Sequence, residues 1–268
     1  MDKSKIKRSD LKKNFLKEII MRLDFQGVLQ AEMEKVLLDV KPYLKSKHFD
    51  RYQEKVNNQV INDGTGIKDI KTQIVYSFAA ETLGYNLDIS TNCIILSVKT
   101  QGYASFDDYS EIFCQIANIF REKIDFFTST RFGLRKINFC FVKHQEVITD
   151  YFASEYYNCS AAIPGLTINS VERNDRLVNG QQKINLRYAV EQGYLGEESV
   201  YKVTLDTDIY MNDQKEIDQY FFGDSHLPDI NEIAFRIYLG VLTEKMIDIL
   251  STDQEHEPEE IFGVENNE

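Results

Sequence analysis

No tryptophan occurs in the 268 residues, and proline, cysteine and histidine number only four each. Each shortage excludes something. The cysteines (Cys93, Cys114, Cys140, Cys159) are scattered without a C-x-x-C, so neither a disulfide scaffold nor a cysteine zinc site is written here. Cys93, Cys114 and Cys140 sit in apolar patterns and read as buried thiols of a reducing compartment, the cytoplasm. His48, His144, His226 and His256 have no histidine two to four positions away, which removes the usual zinc spacing. No stretch approaches 18 apolar residues and none follows the basic start, so neither a membrane span nor a signal peptide is expected. G-x-G-x-x-G, G-x-x-x-x-G-K-[ST] and G-x-S-x-G are all missing, and Gly64-Thr65-Gly66 leads into no helix pattern. No cofactor is implied.

What is present is an ordinary apolar fraction of 43%, enough for a large core without staples. The net charge is −12, from 43 acids against 31 bases. A body this acidic repels phosphate backbones, so nucleic acid is not the expected partner. Residues 1–14 carry Lys3, Lys5, Lys7, Arg8, Lys12 and Lys13, and residues 252–268 carry seven acids and no Lys or Arg. Both read as flexible, solvated ends around two α+β halves, 15–143 and 144–251, that share a sheet.

Phe15 to Phe25 alternates as a strand, and Leu29, Met33, Val36, Leu37, Val40 and Leu44 keep helical spacing up to the neighbourhood of Pro42. Residues 45–71 are polar and read as a connector with room for a short helix or strand inside it. Strands follow at Gln73–Thr82, Tyr85–Ile89 and Cys93–Thr100, the last two joined by Ser90-Thr91-Asn92. Ser105 with Asp108 opens a helix. The central stretch Arg131–Val142 then alternates, with Ile137, Phe139 and Phe141 on the face expected to be core. The second half predicts a helix over 144–157 and, after Pro164-Gly165, strands at Leu166–Val178, Gln182–Gln192 and Ser199–Met211. Asn179-Gly180 and Gly193–Gly196 supply the turns, and one long helix from Pro228 to Ile249 closes the chain. The fold class is α+β, β-α-β-β-β-α-β then α-β-β-β-α, mostly antiparallel with helices on one face of the sheet.

Four charged residues are the candidate sites. Asp206 and Asp208 stand two apart on a strand, so both carboxylates share a face and suit a hard cation; Asp213 and Lys215 extend this to a nuclease-like D-x-K. Against that, two acids on a strand's polar face are commonly just solvated. Arg131 and Arg135 flank Phe132-Gly133-Leu134 and suit an anion or an acidic partner, or else close internal ion pairs. Cys140 is a nucleophile only if a histidine lies close in space.

The stretch Phe132-Gly133-Leu134-Arg135-Lys136-Ile137-Asn138, the later Leu205-Asp206-Thr207-Asp208 and the closing Val241-Leu242-Thr243-Glu244 occur in an order that resembles a sporadically distributed, uncharacterised prokaryotic family with a central F-G-L-R-[YF]-x-N. Lys136 stands where that family has an aromatic residue, and residues 45–71 fit it poorly. The resemblance implies no catalytic set; it implies a setting of mobile elements, phage defence or toxin–antitoxin loci. The leading reading is a non-enzymatic, protein-binding accessory or regulatory subunit, with homo-oligomerisation left open. The alternatives are a divalent-metal hydrolase or nuclease using Asp206 and Asp208, and a nucleotide or small-ligand sensor.

Overall fold

The computed structural model describes residues 2–62, 67–99, 105–158, 169–222, 227–252 and 260–266. In chain order these form β1 (Lys13–Asn14), β2 (Leu16–Phe25), α1 (Gln30–Ser46), β3 (Arg51–Asn62), β4 (Ile67–Ala80), β5 (Tyr85–Ser90), β6 (Cys93–Lys99), α2 (Phe106–Lys123) and β7 (Ser129–Val142). Then come α3 (Ile148–Tyr151), α4 (Ser154–Tyr157), β8 (Ser170–Asn179), β9 (Gln182–Leu195) and β10 (Glu198–Met211). The chain finishes with α5 (Gln214–Phe222), α6 (Leu227–Val241), α7 (Glu244–Ser251), β11 (Ile261–Phe262) and β12 (Glu265–Asn266). The class is α+β. The expected connections through Gly64-Thr65-Gly66 and Pro164-Gly165, and Cys159, His226 and His256, lie outside the described residues. Among the described residues no helix is long and apolar enough to cross a membrane.

Contacts divide the chain into a first unit, Ile19–Leu134 with Tyr210–Pro228, and a second, Met1–Glu18, Arg135–Ile209 and Asp229–Glu268. The division differs from the expected 143/144 boundary, because β2, β7 and β10 each contribute residues to both units.

In the first unit, α1 begins where the Glu32 carboxylate accepts the Leu29 N–H at 2.8 Å. Its stripe of Met33, Val36, Leu37, Val40 and Leu44 is buried. It ends in a Schellman turn without glycine. His48 takes φ +66°, its N–H donates to Lys45 O, and Phe49 N–H donates to Leu44 O, with Phe49 and Leu44 both buried. That turn releases the chain into β3, which with the start of β4 fills most of the described part of 45–71, more strand than the short element expected inside a connector. β3 pairs antiparallel with β4 from Arg51↔Ala79 to Asn62↔Ile67, and the order is β-α-β-β-β-β-α-β. Tyr52 anchors the pair, its ring 4.9 Å from that of Phe78 and under Lys41 Nζ at 4.1 Å. β4, β5 and β6 continue antiparallel. On α2, Ser105 Oγ accepts the Asp108 N–H at 3.2 Å, and Tyr109, Ile112, Phe113, Ile116, Ile119 and Phe120 are buried, as its spacing predicts. Asn212-Asp213 reads as a turn in the sequence; Asp213 is in fact the cap of α5, accepting the Glu216 N–H at 3.1 Å.

The second unit holds the β8–β9 hairpin, closed at Asn179↔Gln182 around Gly180-Gln181. The loop is one residue later than Asn179-Gly180, and of the two central residues only Gly180 has positive φ (+60°), the glycine-first pattern of a type II′ turn. The helix expected over 144–157 is broken. Phe152 bridges Leu242, and Ala153 N–H donates to Val241 O at 2.9 Å. The closing helix breaks at the same place, where Thr243 Oγ1 accepts the Met246 N–H at 3.3 Å and starts α7 afresh. Neither end is simply loose. Arg8 lies over the Phe235 ring at 4.4 Å, and Arg236 donates to the carbonyls of Lys3, Ser4 and Ile6. Within the acidic stretch, β11 pairs with β7 and β12 with β1; residues 253–259 and 267–268 lie outside the described ones.

Candidate functional site

β7 faces the opposite way from its apolar alternation. Phe132, Leu134, Lys136, Asn138, Cys140 and Val142 are buried, while Ile137, Phe139 and Phe141 are half-buried. The physical reason is parity. Phe132 and Leu134 are fully packed at the strand's start, and a period of two then carries Lys136 and Asn138 inward whatever their polarity. The inward polar groups are satisfied: Lys136 Nζ donates to Asn231 Oδ1, and Asn138 Nδ2 to Leu205 O at 3.4 Å. Burial is the largest influence on the Lys136 ammonium and holds its pKa well below the ordinary lysine value, reinforced by Arg8 and opposed by Glu232.

The outward side of the second unit brings two of the four candidate residues together. Arg135 grips Asp206 side-on, Nε to Oδ1 at 2.8 Å and Nη2 to Oδ2 at 2.5 Å. Asp208 and Glu18 also act on Arg135, whose guanidinium is held charged, its pKa raised chiefly by the Asp206 hydrogen bond. Arg187 joins from β9; it bonds Glu172 at 2.9 Å, with Glu191 at 3.7 Å and Asp206 within electrostatic reach. The result is an alternating ladder, carboxylate to guanidinium, across the strands. Beside it Phe139 is flanked by two cations, Lys202 Nζ 4.3 Å and Lys17 Nζ 5.6 Å from its centroid, and makes an edge contact with Phe141 at 5.7 Å.

Arg131 belongs to the first unit, 3.9 Å from Asp24 and over the Tyr210 ring at 4.9 Å. A Cβ on Gly133 would come within 3.1 Å of the Arg131 guanidinium, a tight contact that the arginine would have to shift slightly to relieve. The structure gives the metal reading no ligand set among the described residues. Both Asp206 oxygens are taken by Arg135, Asp213 caps a helix, and among the described residues no three His, Cys, Asp or Glu side chains gather as a ligand set. Cys140 is fully buried, and burial pushes the Cys114 thiol up to about 12, so neither is a ready nucleophile.

The sequence singled out Arg135 and Asp206 as separate sites, and the structure makes them one. It did not single out Lys136, Asn231, Lys17 or Lys202. A double-mutant cycle measures the outward pair. Asp206 is nearly buried but Arg135 is about half exposed, so Arg135→Ala should cost about 1–2 kcal/mol and fall to a few tenths once Asp206→Asn is present. Additive costs in urea unfolding would show that the pair does not couple.

No family profile and no curated protein matches the chain. Among solved structures, the crystal structure of the di-domain ARO/CYC StfQ from the steffimycin biosynthetic pathway is similar at 9% identity. The alignment spans 87% of this chain and 96% of that one with a TM-score of 0.19. A score that low carries nothing over, neither fold nor chemistry.

Proposed function

We propose that the protein is a non-enzymatic binding subunit that recognises another protein through the outward side of β7 and β10 in its second unit. The observation that carries this is the placement of Phe139: a large aromatic ring left half-buried on an outward strand face, with Lys17 and Lys202 over it. Aromatic anchors ringed by cations suit a partner that offers apolar side chains beside acids. The groups that would serve chemistry are spent on structure: Asp206 on Arg135, Asp213 on the α5 cap, Cys140 in the core. Arg131 turns to Asp24 within the first unit and Arg135 to Asp206 within the second, so each guanidinium already faces a carboxylate of its own unit, which disfavours the sensor reading. The proposed setting is the one the family resemblance implies, an accessory or regulatory subunit beside a phage-defence or toxin–antitoxin system.

The test uses the full tagged chain and a Phe139→Ser variant of unchanged circular dichroism to capture proteins from the native host. A partner held by the parent and weakened about tenfold or more in the variant, a loss of at least ~1.4 kcal/mol, is the expected result. Equal capture by both would remove the site, and no partner for either would remove the function.

A further inference from the structure

The stretch that follows α7 occupies a groove on the second unit in the manner of a ligand. Ile261 and Phe262 add antiparallel to the end of β7, opposite Val142 and Phe141. Lys143 N–H donates to Glu260 O at 2.9 Å, and Lys17 Nζ donates to Gly263 O at 2.8 Å. These bonds address main-chain carbonyls that any extended peptide offers. Three further contacts choose among peptides. Tyr151 OH donates to Glu260 Oε2 at 2.8 Å, with Lys245 Nζ 4.3 Å above the same tyrosine ring, so an acid is wanted at that position. Ile261 is wholly buried. Gly263 takes φ +78° alongside the Phe141 ring, a backbone conformation that favours glycine.

We propose that this groove is a peptide-binding site for an extended segment of a partner protein that carries an acid, an aliphatic residue, any residue and a glycine in that order, and that the chain's own Glu260-Ile261-Phe262-Gly263 fills it in cis. The identity of the partner rests on the binding-subunit reading above; the groove itself does not. Exchange is built into the geometry. The cis occupant is held to β7 by two paired residues, its continuation Glu265–Asn266 pairs with β1 by two more, and Ile261 is its one fully buried side chain within Glu260–Gly263, so a longer partner strand on β7 would bring more there. An open cleft whose lining includes Lys143, His144 and Tyr201 together with the acids Glu146 and Glu198 adjoins it, since Lys143 belongs to both, and gives such a strand room to continue. The lysines and Tyr151 supply the complement to its acids.

The test keeps the whole chain. A protease recognition sequence is placed within residues 253–259, the protein is folded and then cut, and a fluorescent synthetic peptide EEIFGVEN, residues 259–266, is titrated. The cut protein should bind it saturably. The uncut protein should bind about tenfold or more weakly, because a tethered occupant competes at high effective concentration. Peptides carrying Ile261→Asp or Gly263→Val should lose about tenfold or more. Should cutting unfold the protein, uncut chain bearing Ile261→Asp, which vacates the groove in place, should gain the peptide binding that the parent lacks. Equal binding of parent and Ile261→Asp peptides, or no binding by folded protein with its own segment cut or altered, overturns the proposal. A peptide that binds while Phe139→Ser leaves host capture unchanged would keep the groove and sink the aromatic face, so the two failures are distinct.

Discussion

Phe132→Ala should lower the unfolding free energy by about 3–5 kcal/mol, the range for deleting a fully buried aromatic ring that its surroundings cannot collapse around. Phe132 is fully buried, its ring edge-on to Phe221 of α5 at 4.4 Å and 6.3 Å from Phe113 of α2. Phe113 also contacts Phe221 at 5.8 Å, so the three rings form one closed cluster within the first unit. Phe221→Ala alone should cost somewhat less, since Phe221 keeps slight exposure. The double variant should cost less than the sum by about 0.5–1.5 kcal/mol, the part that belongs to the ring–ring contact beyond burial. Urea melts of the four proteins measure all three numbers. Strict additivity would mean that α5 does not dock on β7 through these rings, and a Phe132→Ala cost near zero would undo the assignment of the strand's inward face.

That inward face shows how far the sequence could be read. The strand pattern of Arg131–Val142, the α2 stripe and the α1 stripe are all local, and local periodicity finds them. Which side of β7 turns inward is not local. Judged over residues 137–142, the two phenylalanines win; judged from Phe132 onward, Phe132 and Leu134 fix the opposite parity, and a period of two allows no compromise. β3 was hidden for a different reason. Arg51, Gln53, Glu54 and Lys55 are polar whichever way they point, so an outlying strand of this kind writes no alternation, and the helix before it stops on His48 instead of the glycine that would announce a boundary. Arg135 and Asp206 were each visible as charges on strands, yet 71 residues separate them, and nothing but the adjacency of β7 and β10 says that they meet. The peptide groove was least legible of all. Its occupant is two residues of strand within an acidic run, too short for any period.

Lys136→Met should raise stability, by about 1–3 kcal/mol at pH 7, because an unbranched apolar side chain of similar length removes an amine that pays a desolvation penalty in the folded state. The position gives the amine little in return: one acceptor, Asn231 Oδ1, with the Arg8 guanidinium nearby as a like charge that outweighs the opposing Glu232. The sign of the pH dependence follows from the lowered pKa. Between the folded-state value and the ordinary lysine value of 10.5, the unfolded chain binds a proton that the folded chain does not, so parent stability climbs with pH across that window. Below the folded pKa the penalty is at its fullest; above 10.5 both states are neutral and it is gone. The advantage of Lys136→Met should therefore shrink as pH is raised from 7 toward 10.5, and chemical melts of parent and variant along that series measure it. Pairing it with Asn231→Leu, which removes the amide left without its donor, should add to the gain at every pH. If the variant is instead less stable than the parent, and the gap does not narrow with pH, then Lys136 is a charged partner that the fold needs.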